Sequence, residues 1–152
     1  MSLINKIFKI SILKTIILIF LLIASFCAMH IDATNLCVLG FYQKGSVIYF
    51  SNIQGGASED SLVFEDAAVL GFLFAPIWFL NLRRDWLIGL FSLQCILQFL
   101  TLLMVNFPIN EIIKDSIQFC GNNWIIAFLV FKFLYIGFSI CYFKFDNPCT
   151  RN

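Results

Sequence analysis

Lys132 stands inside LVFKFLYIGFS, residues 129 to 139, a run with no other charge. In hydrocarbon an ammonium costs roughly 3 kcal/mol or more, so it is kept there with a partner, by reaching the surface, or for a task. Residue spacing supplies partners. Lys132, Tyr135, Ser139 and Tyr142 recur at helical intervals, as do Gln94, Gln98 and Thr101, so each segment carries one polar stripe when helical. Lys132 follows Trp124 by eight residues and Gln98 precedes Phe107 by nine, so at 1.5 Å per residue both lie about 12 Å from the same boundary. Glu65 and Asp66 lie about one turn inside that boundary on another segment, and a lysine stem can lift its ammonium towards them. Two chemistries fit the set Lys132, Glu65, Asp66, Gln98 and Tyr135. One is an ion or proton path, or a site for a partner. The other is a neutralised clamp that holds helices together, with the carboxylates wet at the interface.

A second set is the six cysteines, Cys27, Cys37, Cys95, Cys120, Cys141 and Cys149. Chain topology separates them: Cys37 and Cys120 fall in two different loops on one side of the membrane. If that side is oxidising, a bridge between them is chemically allowed. Cys95 and Cys141 are expected to be buried small apolar residues, and Cys149 a reduced thiol. One histidine, His30, and no Cys-x-x-Cys pair argue against a metal site. No Ser/His/Asp set, catalytic carboxylate pair or phosphate-binding loop is present, so neither cofactor nor catalysis is expected.

The elements that must hold these residues follow from the solvent. Of 152 residues, 61% are hydrophobic, only 12% are charged and 19 are phenylalanine, more apolar side chain than a water-soluble fold of this size can hide. The net charge of +1 comes from scattered basic residues, which excludes a nucleic-acid face. Segments of about 20 apolar residues, enough for a layer of about 30 Å, occur near 62–82, 86–107 and 124–143. A fourth, near 10–31, completes a span if Lys14 snorkels to the interface. Its basic start and apolar middle also fit a signal peptide, but the small-residue cleavage pattern is poor and a retained helix is expected.

With four spans, seven of the ten basic residues fall on one side: Lys6, Lys9, Lys14, Arg83, Arg84, Lys144 and Arg151. That bias predicts cytoplasmic termini, a cytoplasmic RRD turn and outer loops at 32–61 and 108–123. In the longer loop, NLCVLGFY and SVIYFSN flank QKG, a pattern that fits a small hairpin or an irregular loop, followed by GGASED as a flexible lead. A lone hairpin is marginal, so it would need the other loop or the membrane surface. In the second span Ala67, Gly71 and Ala75 form a small-residue ridge for close helix approach, and Pro76 follows as a kink point.

Two family resemblances and one contrast bear on function. Cys37-Val38-Leu39-Gly40-Phe41-Tyr42-Gln43-Lys44 resembles the C-x-L-C-x-Y-Q-R motif of the bacterial membrane enzymes that reoxidise disulfide-forming proteins with quinone. That likeness implies four spans and thiol/quinone chemistry. Here, however, Gly40 replaces the second cysteine and Lys44 the arginine, which removes the resolving thiol. Small four-helix drug exporters carry a membrane carboxylate in their first helix, and the first span here has no acid, which argues against a small transporter of that design. In layout over nearly its whole length, with AAVLGFLFAPIWF and the RRD turn as local features, the chain is similar to immunity proteins against pore-forming colicins. That resemblance implies a bacterial inner-membrane protein that meets the toxin's hydrophobic helices in the bilayer. The expectation is therefore an all-α, single-domain, four-helix membrane bundle, non-catalytic, whose partners are lipid and another membrane protein. An accessory subunit of a membrane complex fits the same residues.

Overall fold

The computed structural model describes residues 12–40, 44–53, 60–105 and 108–145. The expectations for Lys6, Lys9, Cys149, Arg151 and most of the GGASED lead lie outside these residues. Four helical segments are long and apolar enough to cross a membrane: α1 (Ile12–Met29), α2 (Leu62–Phe74) continued by the short α3 (Pro76–Phe79), α4 (Arg84–Leu103) and α6 (Asn123–Phe145). Between the first two lie strands β1 (Cys37–Leu39) and β2 (Val47–Tyr49). Between the last two lies α5 (Ile109–Gln118).

The second span breaks at Pro76. Proline has no amide hydrogen, so the turn bond that its N–H would give is missing, and the helix restarts after Ala75. The small residues of this span serve two faces. Ala68, Gly71 and Ala75 are buried, whereas Ala67 turns towards a cleft described below. A Cβ at Gly71 would overlap Ser25 Oγ, so glycine is what lets α1 and α2 approach this closely. Moving Ser25 aside would break the bond that its hydroxyl donates to Leu21 O at 2.8 Å within α1.

Helix α1 is the hub. It packs along α6 on one side and along α2 and α3 on another, while α4 meets the bundle chiefly through α2. Ile17, Leu18 and Leu21 of α1, Phe74, Ile77 and Trp78 of the second span, Leu87 of α4 and Tyr135 of α6 form the main core. Trp78 stands edge-on to Tyr135 and Tyr142 and stacks on Phe143, an aromatic plug at the end of the bundle next to the 80–84 turn.

Two cations close that end. Lys14 was expected to snorkel out, but it is buried, with Nζ donating to Leu80 O at 3.4 Å and lying 5.7 Å from the Tyr142 ring centroid. Arg84 Nη2 donates to Phe143 O at 2.8 Å. Both carbonyls belong to helix C-termini, where unpaired C=O groups and the helix dipole favour a cation.

At the opposite end the two loops form one cap. β1 and β2 pair antiparallel with Cys37 opposite Tyr49 and Leu39 opposite Val47, the hairpin reading of this loop. Gly40 and Gly45, at φ 78° and 89°, take the left-handed backbone that the connection requires. The hairpin's support comes from α5, an amphipathic helix where a plain loop was expected. Ser116 Oγ accepts from Cys37 N at 2.9 Å and donates to Cys37 O at 3.1 Å, and Asp115 Oδ2 accepts from Leu39 N at 2.9 Å. Side chains thus satisfy the edge of β1 that another strand would otherwise fill. Cys37 and Cys120 form a disulfide across the loops, with Cα atoms 6.5 Å apart. Beneath the cap Ile31, Leu36, Val38, Phe50, Ile112 and Ile125 join Val63 and Phe64 in a second core. Asn122 ties the pieces together: its amide donates to Asn35 O and Oδ1, and its Oδ1 accepts from Trp124 N, capping α6.

Candidate functional site

Tyr135 and Gln94 form a buried side-chain link between α4 and α6. Tyr135 is 1% exposed and Gln94 0%, and the phenol donates to Gln94 Oε1 at 2.6 Å. Phe91 packs on both Tyr135 and Phe143 one turn nearer the 80–84 turn. Together with the Arg84 contact, these join α4 to α6 at that end of the bundle. Towards the cap the two helices part.

The gap is a cleft of about 400 Å³. Its walls are Cys95, Gln98, Phe99 and Leu102 of α4 and Phe128, Leu129, Lys132, Phe133 and Ile136 of α6. Val63, Phe64 and Ala67 of α2 form its back, and Ile109 and Ile113 of α5 its roof. The roof follows from sequence periodicity: Ile109, Ile112, Ile113 and Ile117 recur at helical spacing, so one face of α5 is apolar and settles on the spans. Ile112 is fully buried, while Ile109 and Ile113 border the cleft.

Lys132 and Gln98, expected to be neighbours by depth, both line this cleft. The Lys132 ammonium lies 5.3 Å from the Tyr135 ring centroid, a cation–π arrangement. Gln98 Nε2 is buried and donates to nothing among the described residues. The expected pairing of Lys132 with Glu65 or Asp66 does not form. Both carboxylates are exposed, Asp66 beside a smaller pocket of about 220 Å³ with Asp60 and Thr101, and no ion pair to Lys132 exists among the described residues. Helix rotation explains this. The α2 face that packs on α1 is set by Gly71, and that rotation turns Glu65 and Asp66 outward.

Ser139, fully buried, donates to Tyr135 O in its own helix at 2.7 Å. Thr101 likewise donates to Gln98 O at 2.9 Å, so neither hydroxyl offers its proton to the cleft. Among the free cysteines, Cys27 is buried, Cys95 lines the cleft half-buried, and Cys141 is exposed rather than buried as expected. Among the described residues no cluster of three His, Cys, Asp or Glu side chains is placed to hold a metal ion.

A cation, an amide donor and the Cys95 thiol border a largely apolar cleft between two spans, an arrangement suited to binding. Sequence reasoning did not find Ile109 and Ile113 as part of the site, although INEIIKDSIQ carries the amphipathic period. Comparison with protein-family models, with curated proteins and with solved structures finds no match to this chain.

Proposed function

We propose that this is a non-catalytic, multi-pass protein of a bacterial inner membrane that acts through contacts between its spans and those of a membrane partner. In this reading it is an immunity-type inhibitor of a pore-forming toxin, or an accessory subunit of a membrane complex. The observation that carries the reading is the cleft between α4 and α6, where the Lys132 ammonium meets no carboxylate among the described residues and the Gln98 amide is buried without an acceptor. Polar groups in hydrocarbon are normally paired, which favours a partner that brings an acceptor to this depth.

Orientation follows from charge and redox chemistry. Lys14, Arg83, Arg84 and Lys144 gather at the end opposite the cap, a bias that favours a cytoplasmic side for that end. The Cys37–Cys120 bridge then faces the periplasm, where disulfides persist. The thiol/quinone alternative is weakened by the same bridge: Cys37 is bonded across the loops, and Gly40 stands where an exchanging thiol is needed.

The deciding experiment measures membrane potential in cells that produce the protein and are exposed to pore-forming colicins. Retained potential against one toxin, with sensitivity to the others, is the expected immunity result. Mild solubilisation without toxin supplies the second arm, because a stable native complex selects the accessory-subunit form. Depolarisation by every toxin together with recovery of the protein alone would sink the proposal. An impermeant maleimide should label Lys44→Cys from outside intact cells and leave Arg83→Cys untouched.

A further inference from the structure

The depth of Lys132 narrows what can fill the cleft. It lies nine residues beyond Asn123, the first residue of α6, hence about 13 Å along the helix and near the middle of a hydrocarbon core of about 30 Å. Its ammonium has an aromatic face on one side and no carboxylate among the described residues. Gln98 adds a buried amide donor without an acceptor. Two donors at mid-membrane depth call for an acceptor delivered to that depth. A phospholipid headgroup stays at the interface, and the cap helix α5 roofs the cleft on the headgroup side. A carboxylate carried on a transmembrane helix is brought to a fixed depth by the helix itself.

Size gives the mode of docking. A 20-residue helix about 10 Å across and 30 Å long fills on the order of 2,000 Å³, so it does not enter a cleft of about 400 Å³. It lies along the mouth and inserts side chains. Helix α4 offers the matching wall, since Leu87 and Gln94 are its only buried residues. Resting on the proposed partner-binding function, we infer that the cleft receives a partner's transmembrane helix bearing Asp or Glu at mid-membrane depth. Its carboxylate pairs with Lys132 Nζ and, as the Gln98 amide turns into the cleft, accepts from Nε2, while apolar neighbours fill the space beside Phe99 and Phe133.

The probe is a labelled Leu-rich helix of 20 residues with Glu, Gln or Leu at its tenth position, mixed with the purified protein in phosphatidylcholine vesicles and followed by energy transfer. The Glu helix should associate about tenfold more tightly than the Leu helix. Lys132→Met should level the two, Gln98→Leu should reduce the preference about threefold, and Lys132→Glu should transfer it to a Lys-bearing helix. Equal association of the Glu and Leu helices, or a preference that survives Lys132→Met, would overturn the inference. So would saturable binding of oleic acid that depends on Lys132 without any helix preference, which assigns the cleft to a free fatty acid. Self-association abolished by Lys132→Met assigns it to a second copy and overturns the inference equally. These readouts separate from those of the function. A native partner whose binding ignores Lys132→Met removes this inference alone, and a Glu preference without any native partner supports the inference while the proposed function falls.

Discussion

Tyr135 and Gln94 illustrate the worth of a hydrogen bond where no water can replace it. Both residues are fully enclosed, and their contact joins α4 to α6 alongside the Arg84 bond to Phe143 O. Tyr135→Phe strands the Gln94 carbonyl and should cost about 1 kcal/mol in a detergent unfolding titration. Adding Gln94→Leu removes the stranded group and should recover much of that loss. A double change that costs as much as both single changes summed would show that the two side chains do not act together. In the cap, the Thr34 hydroxyl donates to Asp32 at 2.6 Å and the Thr34 amide at 2.8 Å. Those bonds hold the Asp32 carboxyl below its ordinary value, the hydroxyl first, against a smaller opposing effect of burial. A lowered folded pKa gives stability that is complete above the unfolded value near 4 and is lost as pH falls through the folded one. The protection factors of the Asn35 and Leu36 amides, whose N–H groups donate to Asp32 O, should therefore fall below about pH 4 and stay flat from pH 5 to 8. The effect is local and small, because Asp32 is largely in contact with water.

Among the elements, the hairpin and α5 depend on each other. Three-residue strands have too few ladder bonds to stand alone, and Ser116, Asp115 and the Cys37–Cys120 bridge supply what is missing. A bridge spanning 83 residues stabilises by at most about 4.5 kcal/mol in the chain-entropy account. Here it contributes less, because the inserted spans already restrict that loop. Cys37→Ser should raise amide exchange in β1 and α5 about tenfold or more while α1 and α6 keep their protection. Ser116→Ala should reproduce part of this with the disulfide intact, which separates the hydrogen bonds from the covalent link. Uniform exchange across cap and spans in Cys37→Ser would instead mean that the bundle opens as one unit.

For the whole molecule, burial is uneven in a way that matters for binding. Helix α1 is gripped on two sides, whereas α4 is attached through α2 and through its end beside the 80–84 turn. Lipid replaces water around these helices, so packing rather than apolar transfer decides what a truncation costs. Leu21→Ala in α1, 0% exposed, should lower bundle stability by roughly 1 kcal/mol or more, and Ile96→Ala in α4, 55% exposed, by less than about 0.5 kcal/mol. Equal losses at the two sites would place α4 in the core and close the cleft as a docking surface.

Local properties were legible along the chain. The lengths of four apolar runs, the basic bias of one end, the β-rich runs around a glycine turn and the Cys37–Cys120 pairing each depend on residues read in order, and each corresponds to a feature of the structure. The spacing of its isoleucines carries helix α5 too, but a segment of 10 residues is too short to span and its signal lies between two longer ones. By itself, then, the sequence determined which segments are long and apolar enough to cross a membrane and where Lys132, Gln98 and Tyr135 stand along them, because position along a helix follows from rise per residue. Only the tertiary structure decided who meets whom. Helix rotation is set by close packing at places such as Gly71 against Ser25. That packing turned Glu65 and Asp66 outward, gave Tyr135 to Gln94, and left Lys132 and Gln98 facing an open cleft.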